Sequence, residues 1–420
     1  MITTGPTWQI IQFTQIIMRI LDSSKSINLA NVPDGFADNP YPWYQQILSE
    51  SPVVAQTDGS YLVAPHRLLT EIYRDTVLFS SDKQAVFKPR FGNSPLYDHH
   101  TTSLVFNDAP LHTRVRRIMA GAMTPSAIAH IEQGLSTLVD DLLDDLANNK
   151  KDGAVDLIEH FASQIPINII GNLLDIPMQE RSPLRDWSLS ILGALEPTLT
   201  PQQEKKGNRA VSEFLAYLAE LVKKREKKPG NPDTDVLTRL MFSNKGSLSN
   251  AELLHNCIFI LNAGHETTTN LIGNAIGSLH ENPQSKHELI HNPDIIHTAI
   301  DEFLRFESPN QIGNRLTTKD TQIAGQHIKA NTNIHLLIGA ANRDPAEFDN
   351  PNQLLLSRKP NRHLAFAGGP HACIGLNLAR LEGRVAIGKF VQRFPGFDIT
   401  DAERSPRLRF RGYNKLLASL

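Results

Sequence analysis

The feature that most constrains the fold is a long apolar segment that begins after Ser249 and ends before Pro283. Ser249 and Glu252 have the Ser-x-x-Glu spacing of a capping box, in which each side chain bonds the backbone N–H of the other residue. Proline interrupts a helix, so the segment predicts a single helix of about 30 residues and roughly 45 Å. Because it is apolar on nearly all sides, for example from Cys257 to Leu261, we expect it to pass through the core.

The middle of this segment does not suit a buried helix. Ala263–Thr269 reads Ala-Gly-His-Glu-Thr-Thr-Thr. Gly and Thr are poor helix formers in a helix interior, and a buried Glu266 is costly without a partner. Such departures inside a core helix are expected at functional sites, so the sequence predicts a site at this point of the helix.

Charge and cysteine content exclude several classes of protein. Lys and Arg number 42 and Asp and Glu number 44 among 420 residues, so no net basic field exists that would bind nucleic acid. Only Cys257 and Cys373 are present, which excludes a disulfide scaffold and a zinc site built from three or four cysteines. Two cysteines suit a reducing compartment, and we expect a cytoplasmic protein.

Helical periodicity dominates the chain from about Thr124 to Leu304. Leu135–Leu146 and Ala210–Lys224 read as amphipathic helices, and the basic run that follows the second ends at Pro229 and Gly230, as expected of a helix end. Short strand-like stretches occur at Ser60–Ala64, Thr321–Ile328 and Asn333–Ile338. The prediction is a mainly α protein with small β-sheets, in which residues 36–420 form one large domain.

The N-terminal residues 1–35 are interpreted as an extension that carries an amphipathic helix at Trp8–Leu21. This helix is too short and too polar to span a bilayer, and no signal peptide is apparent. We favour a helix docked on the protein surface. Peripheral attachment to a membrane is the alternative.

A second pattern surrounds Cys373, in the segment Phe366–Gly375 with the sequence Phe-Ala-Gly-Gly-Pro-His-Ala-Cys-Ile-Gly. Its glycines let the backbone approach a bulky flat group, and a helix is predicted from about Leu376. A thiol just before a helix N-terminus is expected to have a lowered pKa, and a thiolate is a good axial ligand for iron. An incidental buried cysteine in a loop is the alternative.

A third pattern is Glu302-x-x-Arg305, which places an acid and a base on one helix face. On its own it is typical of a surface pair.

Together, the three patterns resemble the motifs of the cytochrome P450 superfamily in order and spacing. Similar segments extend from Asn39 to Gly412 and include Asp108–Arg117 and Ala341–Pro345. The resemblance is to the bacterial members without a membrane anchor, which are often found in secondary metabolism. It implies the P450 fold, a single haem domain with the long helix lying over the haem.

By this resemblance the cofactor is haem b, and Cys373 is the axial thiolate ligand of its iron. Phe366 and Gly375 would pack around the sulfur, and Gly375 would supply an N–H donor. Ala263 and Gly264 would let the long helix pass close over the haem. Glu302 and Arg305 would form a structural ion pair with Arg343 nearby. The haem propionates would be held by charge-assisted hydrogen bonds from His112, Arg116, Arg315 and His371.

The resemblance also implies an activity, the insertion of one oxygen atom of dioxygen into a small hydrophobic substrate. Glu266 and Thr267 would be the acid–alcohol pair that delivers protons, and the thiolate would favour O–O cleavage. Hydroxylation is the default outcome, and epoxidation, ring coupling and demethylation remain open. Ala372 departs from the family pattern, since many relatives carry Phe before the cysteine.

Electrons would come from a separate ferredoxin or flavodoxin with an NAD(P)H-dependent reductase, because the chain has no cysteines for an iron–sulfur cluster. The expected docking face carries Arg114, Arg117, Arg358, Lys359 and Arg362.

The expected substrate pocket draws on several separate segments. Its first segment contains Lys88 and Arg90, which are interpreted as part of a solvated mobile loop rather than as contacts for a substrate carboxylate. The pocket segments are Gln84–Leu104, Ser188–Leu199, Leu261–Ala263, Asn310–Asn314 and Gly412–Lys415.

Two other classes of protein are alternatives for this sequence. His287, Glu288 and His291 satisfy the His-Glu-x-x-His pattern of a zinc metalloprotease, but the segment is short and its flanks are polar. A haem-binding sensor or scaffold without turnover is disfavoured by the intact acid–alcohol pair. His265 and Cys257 are interpreted as structural, the latter as a core thiol.

Overall fold

The computed structural model describes residues 27–122, 125–148, 153–232, 235–242 and 248–420. The predicted helix at Trp8–Leu21 lies outside these residues. Part of the predicted N-terminal extension is described, and there Ile27 and Leu29 pack in one apolar cluster with Phe36 and Tyr44. No helix in these ranges is both long and apolar enough to cross a membrane.

Helices make up most of the described chain, as predicted. Many of their ends fall at prolines or at side chains that cap the backbone. In chain order they are α1 (Tyr41–Glu50), α2 (His66–Arg74), α3 (Gln84–Phe91), α4 (Pro95–Thr102), α5 (Leu111–Ala122), α6 (Pro125–Asn148), α7 (Gln164–Leu173), α8 (Leu184–Gly193), α9 (Pro201–Lys227), α10 (Val236–Met241), α11 (Asn250–Glu281), α12 (Pro283–His291), α13 (Ile296–Phe306), α14 (Ile338–Ala341) and α15 (Leu376–Arg393).

The predicted central helix is α11, and its ends are those read from the sequence. The Ser249 hydroxyl accepts from the Glu252 backbone N–H at 3.2 Å, and the Glu252 carboxylate accepts from the Ser249 N–H at 2.8 Å. The helix ends at Glu281, and Pro283 begins α12. Most of its side chains are buried, because it contacts α4, α7, α8, α9, α13 and α15. It therefore forms the axis of the helical core.

The amphipathic helices are also confirmed. The buried side chains of α6 include Leu135, Val139, Leu143 and Leu146, while the aspartates between them are exposed. Helix α9 contains the predicted Ala210–Lys224 and ends in the basic run at Lys227, as the cations and the following proline and glycine indicate.

The strands are short and form three separate sheets. In chain order they are β1 (Val53–Ala55), β2 (Tyr61–Val63), β3 (Phe79–Ser80), β4 (Val155–Asp156), β5 (Ile312–Thr317), β6 (Thr321–Ile323), β7 (Gln326–Ile328), β8 (Asn333–Leu337), β9 (Asp398–Arg404) and β10 (Tyr413–Ser419). The order β1-β2-β8-β5-β3 makes a five-stranded sheet, β4-β10-β9 a three-stranded sheet and β6-β7 a hairpin. The predicted stretches at Ser60–Ala64 and Asn333–Ile338 hold β2 and β8, and Thr321–Ile328 is a hairpin turned at Ala324 and Gly325, which both have positive φ.

Candidate active site

A cavity of about 350 Å³ lies between the middle of α11 and the segment Phe366–Gly375. The structure brings most of the predicted site residues to its wall. Glu266, Glu302 and Arg305 lie elsewhere. The predicted residues that line the cavity are His112, Arg116, Ala263, Gly264, Thr267, Arg315, Phe366, His371, Cys373 and Gly375.

The Cys373 thiol is held in a tight loop directly before α15. The Cys373 N–H donates to the Phe366 carbonyl oxygen at 2.9 Å, and the Gly375 N–H donates to the Cys373 sulfur. Gly369 has φ +64°, and a Cβ there would lie 2.2 Å from the Tyr73 carbonyl oxygen, so the loop requires glycine at this position. Burial raises the pKa of Cys373, against the lowering by Gly375 and by two arginines. The expected lowering of the thiol pKa at the helix terminus is present in the Gly375 contact, but desolvation is the larger effect, so the pKa is raised overall.

Four basic side chains meet at one side of the cavity. The rings of His112 and His371 stack with centroids 3.8 Å apart. Burial lowers the pKa of His371 to about 3, and Arg315, His112 and Arg116 lower it further in the same direction. His112 Nε2 and Arg315 Nε are buried without a hydrogen-bond partner. Within the described part of the chain, Arg116 and Arg315 form no ion pair. Such a cluster of unmatched donors fits a group that carries carboxylates.

Helix α11 supplies another wall of the cavity. Ala263 is exposed although its helix is buried, because it faces this space. The Thr267 hydroxyl donates to the Ala263 carbonyl oxygen at 2.6 Å, which leaves the lone pairs of Thr267 Oγ1 as acceptors. Gly264 has a packing role as well, since a Cβ there would lie 2.9 Å from Ile170 Cδ1 in α7.

Glu266 does not share the cavity wall with its chain neighbour Thr267. Its carboxylate is buried, forms an ion pair with Arg407, and is not among the described residues that line the cavity. Burial raises the pKa of Glu266 to about 7, although Arg407 opposes this shift, and Oε2 has no hydrogen-bond partner. A carboxyl that titrates near neutral pH can both give and take a proton there.

The Glu302–Arg305 pair is an internal cluster rather than a surface pair. Both side chains are fully buried and form two hydrogen bonds of 2.8 Å. The second guanidinium at Glu302 is that of Arg358, with Nε 3.0 Å from Oε2. Arg343 lies near this pair as expected, over the same Phe306 ring as Arg305, but its hydrogen bonds go to the Phe306 carbonyl and Glu307.

A buried carboxyl that the motifs did not single out is Glu382 in α15. It lines the cavity and accepts a hydrogen bond from Thr268, and burial raises its pKa to about 8. The sequence does carry a signal for it, because Glu382 follows the buried Leu378 and Leu381 at helical spacing and so lies on the apolar face.

The substrate segments are only partly as expected. Gln84–Leu104 is not a mobile loop but holds α3 and α4, with Phe87, Phe91, His99 and His100 buried. Arg90 is half-buried and donates to the carbonyl oxygens of Ala194 and Glu196. Leu192, Leu195, Asn262 and Asn310 line the cavity as expected, but in the C-terminal segment the lining residues are Arg409 and Phe410 instead of Gly412–Lys415.

One of the five residues expected on the docking face is not exposed there. Arg358 is 7% exposed and bound to Glu302, so its place on that face is wrong. Arg114 pairs with Glu252. Arg117, Lys359 and Arg362 are exposed.

The remaining candidates lie away from the cavity. His287, Glu288 and His291 are exposed on α12, and no third metal ligand accompanies them among the described residues. Cys257 is fully buried, which confirms a core thiol, and burial raises its pKa to about 12. His265 is buried and does not line the cavity.

Comparisons with known proteins show which family this chain belongs to. A family model described as Cytochrome P450 matches residues 73–408. A biotin biosynthesis cytochrome P450 of Bacillus subtilis is 34% identical over 394 residues, covering 91% of this chain and 96% of the relative. A vitamin D(3) 25-hydroxylase of Pseudonocardia autotrophica is 32% identical over 358 residues, covering 84% of this chain and 86% of the relative. The solved structure of P450BioI in complex with an acyl carrier protein ligated to hexadec-9Z-enoic acid matches with a TM-score of 0.86 and 30% identity, covering 93% of this chain and all of that one. The chain therefore belongs to the cytochrome P450 family of haem-iron monooxygenases.

Proposed function

We propose that Cys373 ligates the iron of a haem b held in this cavity, and that the enzyme inserts one oxygen atom of dioxygen into a small hydrophobic substrate, most simply as a hydroxylation. The observation that carries the proposal is the joint placement of the Cys373 thiol, the basic cluster and the Thr267 hydroxyl around one cavity. His371 shares the Cys373 loop, and the other groups come from distant segments of the chain.

The residues present fit a haem. His112 Nε2 and Arg315 Nε lack partners, and together with Arg116 and His371 they offer donors for two propionate groups. The Gly375 N–H would stabilise a thiolate at Cys373. When bound, the haem supplies an iron at which dioxygen is reduced and activated.

Thr267 and Glu266 are proposed to deliver the protons that the reaction needs. Thr267 Oγ1 is an acceptor at the cavity wall, positioned by its bond to Ala263. Glu266 is held by Arg407 away from the wall, and its pKa near 7 suits exchange of protons with water at neutral pH. In this arrangement Thr267 Oγ1 would accept a hydrogen bond from a protonated group or water in the cavity, and Glu266 would supply the proton to that water.

The proposed substrate is largely apolar because most of the lining side chains are aliphatic or aromatic. The names of two relatives point to the same class, since one hydroxylates vitamin D(3) and another binds a carrier-linked hexadecenoic acid. The proposed electron donor is an external ferredoxin or flavodoxin with an NAD(P)H-dependent reductase, which would dock near the exposed Arg117, Lys359 and Arg362. A cytoplasmic location is proposed from the two free thiols.

The carbon monoxide difference spectrum of the dithionite-reduced protein tests the cofactor and its ligand together. We expect the long-wavelength Soret band of a thiolate-ligated haem, lost in Cys373→Ser and retained in the control Cys257→Ser. A short-wavelength band in the wild-type protein would contradict thiolate ligation. A pyridine haemochrome spectrum identifies haem b.

A further inference from the structure

A group of buried polar side chains lies between α4 and α11. We name His99, His100 and Asn262 the His–Asn cluster. Each is 2% exposed, and all three line the cavity. His255 lies behind them, with its ring centroid 5.7 Å from that of His99. Neither the thiolate site nor the proton-delivery groups use these residues.

The cluster contains polar atoms without partners. His99 Nδ1, His100 Nε2 and Asn262 Oδ1 are buried and form no hydrogen bond. Inside the cluster a hydrogen bond joins Asn262 Nδ2 and His99 Nε2 at 3.4 Å, and the rings of His99 and His100 contact each other. Buried polar groups are nearly always satisfied in folded proteins, so three such atoms beside one cavity indicate a missing partner.

The hydrogen-bonding pattern of that partner follows from the Asn262–His99 contact. If the Asn262 amide donates to His99 Nε2, then His99 Nδ1 carries a proton to donate and Asn262 Oδ1 is free to accept. If the amide is turned over, His99 Nε2 donates to Asn262, and then His99 Nδ1 accepts while the amide N–H donates. In both cases His99 and Asn262 together offer one donor and one acceptor, and His100 Nε2 donates or accepts according to its tautomer. A hydroxyl group satisfies both.

The cluster carries no charge that would favour an anion. Burial lowers the pKa of His100 to about 3 and that of His99 well below its usual value, so both rings are neutral at neutral pH. The positive charge of Arg90 also lowers the pKa of His100, but its guanidinium already donates to two backbone carbonyl oxygens. A carboxylate would accept a hydrogen bond from the donor of the His99–Asn262 pair. It has no hydrogen to donate to the acceptor of that pair, which would stay buried and unpaired.

We infer that the His–Asn cluster is a recognition subsite for a neutral hydroxyl group on the substrate. This inference rests on the proposed function and narrows its substrate class to an apolar molecule that carries a hydroxyl away from the reacting carbon. Apolar side chains line much of the rest of the cavity, including Leu192, Val236, Leu240, Phe259 and Ile260, and would bind the skeleton.

Matched ligands test the subsite. Binding of 1-dodecanol, borneol and cholesterol to the haem-loaded enzyme is compared by calorimetry with binding of their methyl ethers, which accept but do not donate. For the scaffold that fits, we expect the alcohol to bind about tenfold more tightly than the ether, in line with the usual cost of unpaired buried groups. Dodecanoate is expected to bind more weakly than 1-dodecanol.

Two variants locate the effect. Asn262→Leu is expected to remove most of the alcohol preference, while the control Leu192→Met, which changes an apolar lining residue, keeps it. Equal binding of alcohol and ether for every scaffold, or a preference for the carboxylate, would overturn the inference. Equal binding would mean that the cluster binds only water, and a preference for the carboxylate would mean that it binds an anion. Because calorimetry does not depend on the iron ligand, this result is separate from the carbon monoxide spectrum, and the two proposals can fail independently.

Discussion

Removing the charge of Glu302 is expected to destabilise this protein strongly. The Glu302 carboxylate accepts five hydrogen bonds, two from Arg305 at 2.8 Å, one from Arg358 at 3.0 Å, and others from Leu355 N–H and Asn361. Glu302→Gln keeps the shape but leaves two buried guanidinium groups without a counter-ion. Breaking a buried pair in this way costs about 3–5 kcal/mol of unfolding free energy.

The expected change in melting temperature follows from chain length. An unfolding entropy of about 2.1 cal/mol/K per residue gives ~0.9 kcal/mol/K for 420 residues. A loss of about 4 kcal/mol therefore lowers the midpoint by about 4–5 °C. Arg305 keeps its bonds to the carbonyl oxygens of Asn342, Pro351 and Gln353, so we expect the variant to fold.

The assay is thermal and urea unfolding of the haem-loaded protein followed by circular dichroism, together with the haem content per chain. Glu71→Gln is the matched control, because the Glu71–Arg67 pair is exposed and such pairs contribute little. A Glu302→Gln midpoint as close to wild type as that of Glu71→Gln would refute the argument that this ion pair supports the fold.

Three further predictions follow from the site. Thr267→Ala is expected to uncouple turnover, so that NAD(P)H consumption continues while most product is replaced by hydrogen peroxide; Thr267→Ser should restore coupling, and normal coupling in the alanine variant would contradict the proton role. Burial raises the pKa of Glu382 to about 8 from 4.5, so the native state holds a proton that the unfolded chain has lost. The contribution of Glu382 to the free energy of unfolding is then greatest below about pH 4.5. It decreases as the pH rises toward about 8, by ~1.4 kcal/mol per unit of difference between the two pKa values. Glu382→Gln should flatten unfolding free energies measured between about pH 5.5 and about pH 8, and an unchanged slope would count against this. Reversing the charges of Arg117 and Arg362 is expected to slow reduction by an acidic ferredoxin about tenfold at low salt while haem content stays constant; reversing exposed lysines of α9 is the control, and an equal effect there would remove the docking face.

The features that can be predicted from the sequence are those formed by residues close together in the chain. The capping box at Ser249 and Glu252 joins groups three residues apart, and the loop before α15 depends on its own glycines and on Cys373. These features follow from backbone chemistry within a few residues, so a pattern in the sequence is enough to predict them.

The sheets were harder to predict because their pairing is distant along the chain. Tyr61–Val63 pairs in parallel with Ile334–Leu336, and the two residues of β3 pair with Leu316 and Thr317. Strands of two or three residues are too short to show a clear alternation, and their stability comes from partners far away in sequence.

The site shows the same division. The sequence determined the long core helix, its unusual centre, the cysteine loop and the Glu302–Arg305 pair. Only the tertiary structure decided that Arg358 rather than Arg343 completes that pair, that Glu266 bonds Arg407 away from the cavity, and that His99 meets Asn262. The physical reason is that a side chain's partner and charge state depend on burial and on groups from distant segments, and neither is fixed until the helices pack.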